Sequence, residues 1–208
     1  QGKKTPKHLR REKDIEAFLS AAQELGRNHF LYAAIALMTG FRKSEIIPLK
    51  WNDFDASECE LRADEHFEQI SMSIKPGTKG SKDETRIVAI PDDLIDLLSE
   101  YREKSDWQGE EDFILCKDNG DLIPPRELHT IHDDIRKLAK VDVTPHGLRH
   151  TYGRQFVING GSLKALQTNM GHSNSTVTDL YSELAGREVK RHRNTVSFLK
   201  KKGGKNEA

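Results

Sequence analysis

A chain of 208 residues is long enough for one well-buried domain or two small ones. It is 35% hydrophobic and 32% charged, and it has no run near the roughly 18 apolar residues of a membrane-spanning helix. The formal net charge is zero, which alone argues against a nucleic-acid partner. The distribution argues the other way. Residues 1–50 carry 10 Lys/Arg against 5 Asp/Glu, residues 51–121 carry 8 against 20, and residues 141–208 carry 11 against 5. A fold that gathers both ends would present a basic face and an acidic back, although solvated charges without a role would give the same counts. Cys59 and Cys116 lie far apart and outside any CxxC pattern, which predicts free thiols and a reducing cytosol. The basic start lacks the apolar core of a signal peptide. A first residue of Gln1 rather than Met leads us to expect a piece of a longer protein.

Residues 1–11, QGKKTPKHLRR, are polar, contain Pro6 and show no periodicity; they read as a linker. From Glu12, the residues Ile15, Phe18, Leu19, Ala22 and Leu25 recur at helical spacing until Gly26. Residues 29–39 predict a second, more buried helix stopped by Gly40. In FRKSEIIPLK, residues 41–50, Ser44 is the expected N-cap and Ile46, Ile47 and Leu49 the apolar side. Three β-rich pieces follow, over 59–63, 67–74 and 85–90. The polar loop KPGTKGSKDE before the last is too long for a tight hairpin. Pro91 and Asp92 open a helix that turns Leu94, Ile95, Leu97, Leu98 and Tyr101 inward. Residues 112–116 are extended, KDNGD is a turn, and helices are expected over 125–140, 147–159, 162–170, 174–182 and 187–199. A basic tail over 200–208 completes the chain, with disorder expected. The fold class is therefore mainly α with one small antiparallel β-sheet (α+β).

Arg42 follows the glycine that ends a buried helix, and Glu45 lies one turn later. An exposed pair of this kind contributes only about 0–1 kcal/mol, so alone it points to nothing. Lys75, Lys79 and Lys82 sit in the long polar loop, where a lysine can swing in as an acid or simply stay solvated. In HGLRH, His146 and Arg149 share a helix face, and Pro145 puts His146 at the positive end of the dipole. His146 and His150 have zinc spacing, but no Glu follows His146 and no third ligand is suitably spaced, so no metal is assigned. His172 follows Gly171, and Tyr181 lies nine residues on. All these side chains donate hydrogen bonds, several are cationic, and one is a nucleophile. That set suits a pentacoordinate phosphate better than a carbonyl or a metal ion.

TGFRKSEIIPLKWNDF, TPHGLRHTYGRQFVINGG and MGHSNSTVTDLYSEL, in this order, resemble three boxes of the tyrosine site-specific recombinase, or phage integrase, family. The resemblance runs from about residue 9 to 199. It implies that family's catalytic-domain fold over 12–199, with 1–11 the remnant of an interdomain linker; nothing matches the family's N-terminal helical domain. It implies Arg42 as the first catalytic arginine with Glu45 as its acidic support, His146 and Arg149 as the HxxR pair with His150 beside them, then His172, and Tyr181 as nucleophile. The family's lysine is carried to Lys79, because KGSK before TRIVAI resembles the usual lysine loop; Lys75 and Lys82 stay open. Lys43, Lys75, Lys82 and Arg154 are candidate DNA contacts.

The implied activity is cleavage and rejoining of DNA strands through a 3′-phosphotyrosyl intermediate, without metal, ATP or other cofactor. The implied partners are double-stranded recombination sites of a mobile element, bound by a homotetramer that assembles on DNA from monomers, with accessory DNA-bending proteins and no membrane. The implied setting is a nucleoid of bacterial, archaeal or phage origin. A basic, partly amphipathic C-terminal segment is expected to dock on a neighbouring subunit or on its own domain. Two other readings use the same residues: relaxation of DNA like a type IB topoisomerase, and a DNA-binding relative without catalysis.

Overall fold

The computed structural model of the chain describes residues 7–78 and 85–171. Its first two helices are α1 (Glu12–Leu25) and α2 (Arg27–Thr39), separated only by Gly26 at φ 110°. α1 is amphipathic and buries Phe18, Ala21 and Ala22. Beyond its polar first turn α2 is apolar on every side, and every residue from Leu31 to Leu37 is buried. A helix with no polar face belongs in the interior, and α2 packs against α1, against the helices α4 (Asp92–Glu103) and α5 (Pro125–Leu138), and against α6 (Pro145–Ile158). Each fully buried Leu or Ile there contributes roughly 1.5–3 kcal/mol. One polar bridge crosses this core. His132 of α5 sits between the Tyr32 hydroxyl at 3.1 Å and the Val143 carbonyl at 3.0 Å. The carbonyl only accepts, so Nε2 carries the proton and Nδ1 accepts from Tyr32.

α2 ends at Gly40, whose left-handed backbone (φ 67°) faces the ring of Tyr152; a Cβ there would lie 2.4 Å from Tyr152 Cδ1. The Thr39 hydroxyl donates to Ile35 O and accepts from Phe41 N, which closes the helix end. The next helix is a single turn, α3 (Lys43–Ile46). Its N-cap is Arg42 and not Ser44. The Glu45 carboxylate reaches back to the Arg42 backbone N–H at 2.7 Å, so the turn begins two residues earlier than a Ser44 cap would place it. Ile46, Ile47 and Leu49 are buried as the pattern predicts.

The strands β1 (Phe54–Asp55), β2 (Glu60–Ala63) and β5 (Arg86–Ala89) form one antiparallel sheet in the order β1-β2-β5. A second sheet, not foreseen, is the antiparallel hairpin of β3 (Glu65–Glu68) and β4 (Ser73–Pro76). The stretch 67–74, read as one alternating strand, folds back on itself. Phe67 then lies opposite Ile74, while Ile70 and Met72 stand in the exposed turn at 96% and 63% exposure. Within 112–116, Phe113 bridges to Lys50, and Cys116 bridges to Leu122 across the KDNGD turn. The last described helix is α7 (Leu163–Met170), capped by Ser162. Cys59 and Cys116 are free, and no described helix is long and apolar enough to cross a membrane. The helices expected over 174–182 and 187–199, and the tail after them, lie outside the described residues.

The described part of the stretch read as a linker is packed against the domain. Leu9 is buried at 3%, and its N–H donates to Thr151 Oγ1 at 3.0 Å. The Lys7 carbonyl lies over Gly147 of α6, where a Cβ would come within 1.8 Å of it. Sequence periodicity misses a contact made by one apolar residue in a polar run. Gly147→Ala is expected to lower the melting temperature by about 4–8 °C, roughly 2 kcal/mol for a domain of this size. In a chain starting at residue 11 the same substitution should be neutral or stabilising, by up to about 1 kcal/mol of helix propensity. Equal losses in both chains would show that Lys7 is not what the new methyl meets.

Candidate active site

α6 carries the central residues. Thr144 caps it, its hydroxyl accepting from Gly147 N at 2.9 Å, and Pro145 takes the first helical position, which has no use for an N–H. His146 therefore lies in the first turn, at the positive end of a 14-residue helix. Arg149, one turn on and 1% exposed, reaches two distant parts of the chain. Its Nη1 donates to Gly40 O at 2.7 Å, and its Nη2 donates to Met170 O. Gly40 lies two residues before Arg42, and Met170 two before His172. One buried guanidinium thus gathers all three sequence boxes at their edges. Both of these bonds end on backbone carbonyls, which fix the plane of the guanidinium.

Arg42 and Glu45 form the second part of the site. Arg42 Nη1 donates to Glu45 Oε1 at 2.7 Å, with side-chain exposures of 23% and 0%. This is not the solvated pair that the sequence alone allowed. Glu45 Oε2 accepts from Arg86 Nη1 at 2.7 Å as well. Arg86 was missed by sequence reading. It sits on β5, immediately after the lysine loop, and is almost fully buried. Its one sequence signal was a charge at an inward position of a short strand whose pattern is buried, exposed, buried, exposed. α7 and Met170 end at Gly171, left-handed at φ 52°, where a Cβ would lie 2.7 Å from Arg86 Nη2. The glycine before His172 is thus fixed both by backbone conformation and by the close approach of a cation. Tyr152 links the same helices, its hydroxyl accepting from Asn169 Nδ2 at 2.9 Å.

His146 keeps an exposed face, yet its pKa lies below the ordinary imidazole value. Burial is the main cause, and the charges of Arg149 and Arg42 add to it. Both arginines therefore act on His146, although Arg42 is 104 residues away in sequence. His150 lies edge-on to His146 with ring centroids 4.6 Å apart, and His8 is 6.3 Å from His150. Among the described residues no three His, Cys, Asp or Glu side chains form a group that could hold a metal ion. Lys43 is half-buried and points Nζ at Pro125 O, 3.4 Å away. Lys75 is exposed on β4, paired in register with His66. Arg154 is partly exposed on α6. Arg42, Glu45, His146, Arg149 and His150 thus come together, while Lys79, Lys82, His172 and Tyr181 lie outside the described residues.

The lowered pKa makes His146 neutral at pH 7. Because the folded state binds the proton less readily than the unfolded chain, this group's contribution to stability falls as pH drops below the unfolded value of about 6.5. NMR titration should place the His146 midpoint below 6.5, the ordinary value, and Arg42→Gln should raise it. A midpoint at or above that value in the unaltered chain would contradict the burial and the nearby charges.

Residues 9–188 match the phage integrase family model. A tyrosine recombinase XerA of Thermococcus onnurineus is 30% identical over 185 residues, covering 88% of this chain and 60% of the relative. The XerA of Thermococcus kodakarensis is 28% identical over 200 residues, covering 94% and 64%. The chain therefore spans about three-fifths of the length of these relatives. Among solved structures, the XerA recombinase superposes with a TM-score of 0.69 at 23% identity, covering 92% of this chain and 67% of the other. The Tn1549 transposon integrase, in complex with a circular intermediate DNA, gives 0.73 at 20%, covering 92% and 67%. The catalytic domain of bacteriophage HP1 integrase gives 0.65 at 21%, covering 93% and 97%. The family match over most of the chain, and this fold around Arg42, His146 and Arg149, identify it as a member of the phage integrase family of tyrosine recombinases.

Proposed function

We propose that this chain is the catalytic part of a site-specific DNA recombinase that breaks and rejoins strands through a 3′-phosphotyrosyl intermediate. One observation carries the proposal: Arg42, His146 and Arg149, far apart in sequence, converge at the start of α6 with buried partners holding each arginine. Two guanidiniums and a helix N-terminus form a positive site suited to a phosphodiester and to the extra charge of its transition state.

In the proposed reaction Tyr181 attacks phosphorus, and the bond to the 5′-oxygen breaks. An unaided phenol has a pKa near 10 and is mostly protonated at pH 7. His146, held neutral by burial and by the two arginines, is suited to accept the phenolic proton. Arg42 and Arg149 would hold the non-bridging oxygens, His172 would add a donor, and Lys79 would protonate the departing 5′-oxygen. The phosphotyrosyl link conserves the bond energy until another 5′-hydroxyl attacks, so the scheme needs neither ATP nor metal. The substrate is double-stranded DNA at the recombination sites of a mobile element, engaged by a tetramer of the full protein. Its location is the nucleoid. The domain would run from residue 12 to 199, with Lys43, Lys75, Lys82 and Arg154 touching the DNA backbone.

Tyr181→Phe should abolish covalent adducts on a nicked suicide duplex while leaving DNA binding unchanged. Adducts at the unaltered rate would remove Tyr181 as nucleophile. Lys79→Ala should slow cleavage by about 10²–10⁴-fold, the usual worth of a positioned acid, and by more than Lys82→Ala does. The opposite order would move the acid to Lys82.

A further inference from the structure

We propose that Arg86 is a positioning residue: by occupying one oxygen of Glu45 it keeps the Arg42 guanidinium from closing on that carboxylate and leaves it open to a phosphate. The proposal rests on the phosphodiester reading of the site. An arginine and a carboxylate left to themselves favour a two-pronged pair, with two parallel N–H donors on two oxygens. Arg42 and Glu45 are close enough for that pair, and it would cover the edge of the guanidinium that a phosphate needs.

The geometry prevents it. Glu45 Oε2 is taken by the Arg42 backbone N–H and by Arg86 Nη1, each at 2.7 Å. That leaves Oε1 for a single Arg42 donor, Nη1, also at 2.7 Å. Arg42 Nε and Nη2 have no protein partner among the described residues, and the side chain keeps 23% exposure. The free edge can therefore meet an anion with the planar fork that suits phosphate oxygens. Arg86, at 3% exposure, is too buried to meet a duplex itself. Its position shows what else it holds. It opens β5, the first strand after the lysine loop, and its guanidinium lies against Gly171, the residue before His172. One buried cation thus links the acidic support of Arg42, the strand that follows the lysine, and the corner that leads to His172.

The test is a charge-balanced cycle of Arg86→Met, Glu45→Gln and the double variant. It is read by adduct formation on the nicked duplex and by NMR titration of His146, with melting curves showing which variants are folded. Arg86→Met leaves Glu45 to close on Arg42, and Glu45→Gln leaves two cations facing each other. Each should slow adduct formation on the order of 10²-fold, the cost of a misplacement outside the chemistry. The double variant should recover to within about tenfold of the unaltered chain, so that two substitutions do less harm than one. Arg86→Lys should keep more activity than Arg86→Met. Without DNA, Arg86→Met should move the His146 midpoint up, because Arg42 becomes more fully neutralised, and adding Glu45→Gln should bring it back down. A double variant as slow as the slower single, or a His146 midpoint indifferent to Arg86, would overturn the proposal. Failure of the unaltered chain to form adducts would sink the phosphodiester reading and leave the His146 titration to decide the role of Arg86.

Discussion

The site depends on one buried carboxylate. Glu45 is fully excluded from solvent and lies between the guanidiniums of Arg42 and Arg86. A lone carboxylate in that position would cost several kcal/mol, so the charge persists only while it is paired and hydrogen-bonded. The pairing fixes three pieces of chain at once. The single turn of α3 closes on the Glu45 carboxylate, β5 is anchored at its first residue, and the end of α7 is shaped around Arg86. Glu45 thus serves two guanidiniums, and of these Arg42 is the one that reaches the surface, at 23% side-chain exposure against 3% for Arg86.

Arg149 works differently. It is as buried as Glu45, and the carbonyls of Gly40 and Met170 orient its guanidinium. Together with the N-terminus of α6 it makes this corner positive, and His146 responds by staying neutral. A neutral imidazole among cations can accept a proton, and the cations around it favour an incoming anion. The glycines are part of the same design. At Gly40 a side chain would strike Tyr152, and at Gly171 it would strike Arg86. Both lie beside residues that matter, at the places where the backbone must turn sharply.

How much of this was legible in the sequence differs from residue to residue. α2 announced itself because an apolar run bounded by glycines has few other folds. The face of α6 was legible because Pro145 followed by HGLRH puts His146 and Arg149 one turn apart; its Thr144 cap was not read, and the helix starts two residues before the expected 147. The hairpin of β3 and β4 was not, because FEQISMSI alternates well enough to pass for one strand, and only pairing Phe67 with Ile74 shows the fold-back. Leu9 was hidden as a single apolar residue in a basic run, and the Glu45 cap because an Arg–Glu pair one turn apart has the spacing of an ordinary exposed pair. Arg86 was hidden for a more general reason. A charge in a strand reads as solvent-facing unless its buried partner is known, and Glu45 lies 41 residues away.

The central claim is that these arginines hold a phosphodiester for attack by one tyrosine. Mass spectrometry of the covalent product tests it most directly: the adduct formed on a nicked duplex is trypsinised and the peptide carrying the nucleotide is sequenced. The expected product is the peptide spanning residues 165–187, linked through Tyr181 to a 3′-phosphate. A linkage through any other residue, or a 5′-phosphate bond, would contradict the account.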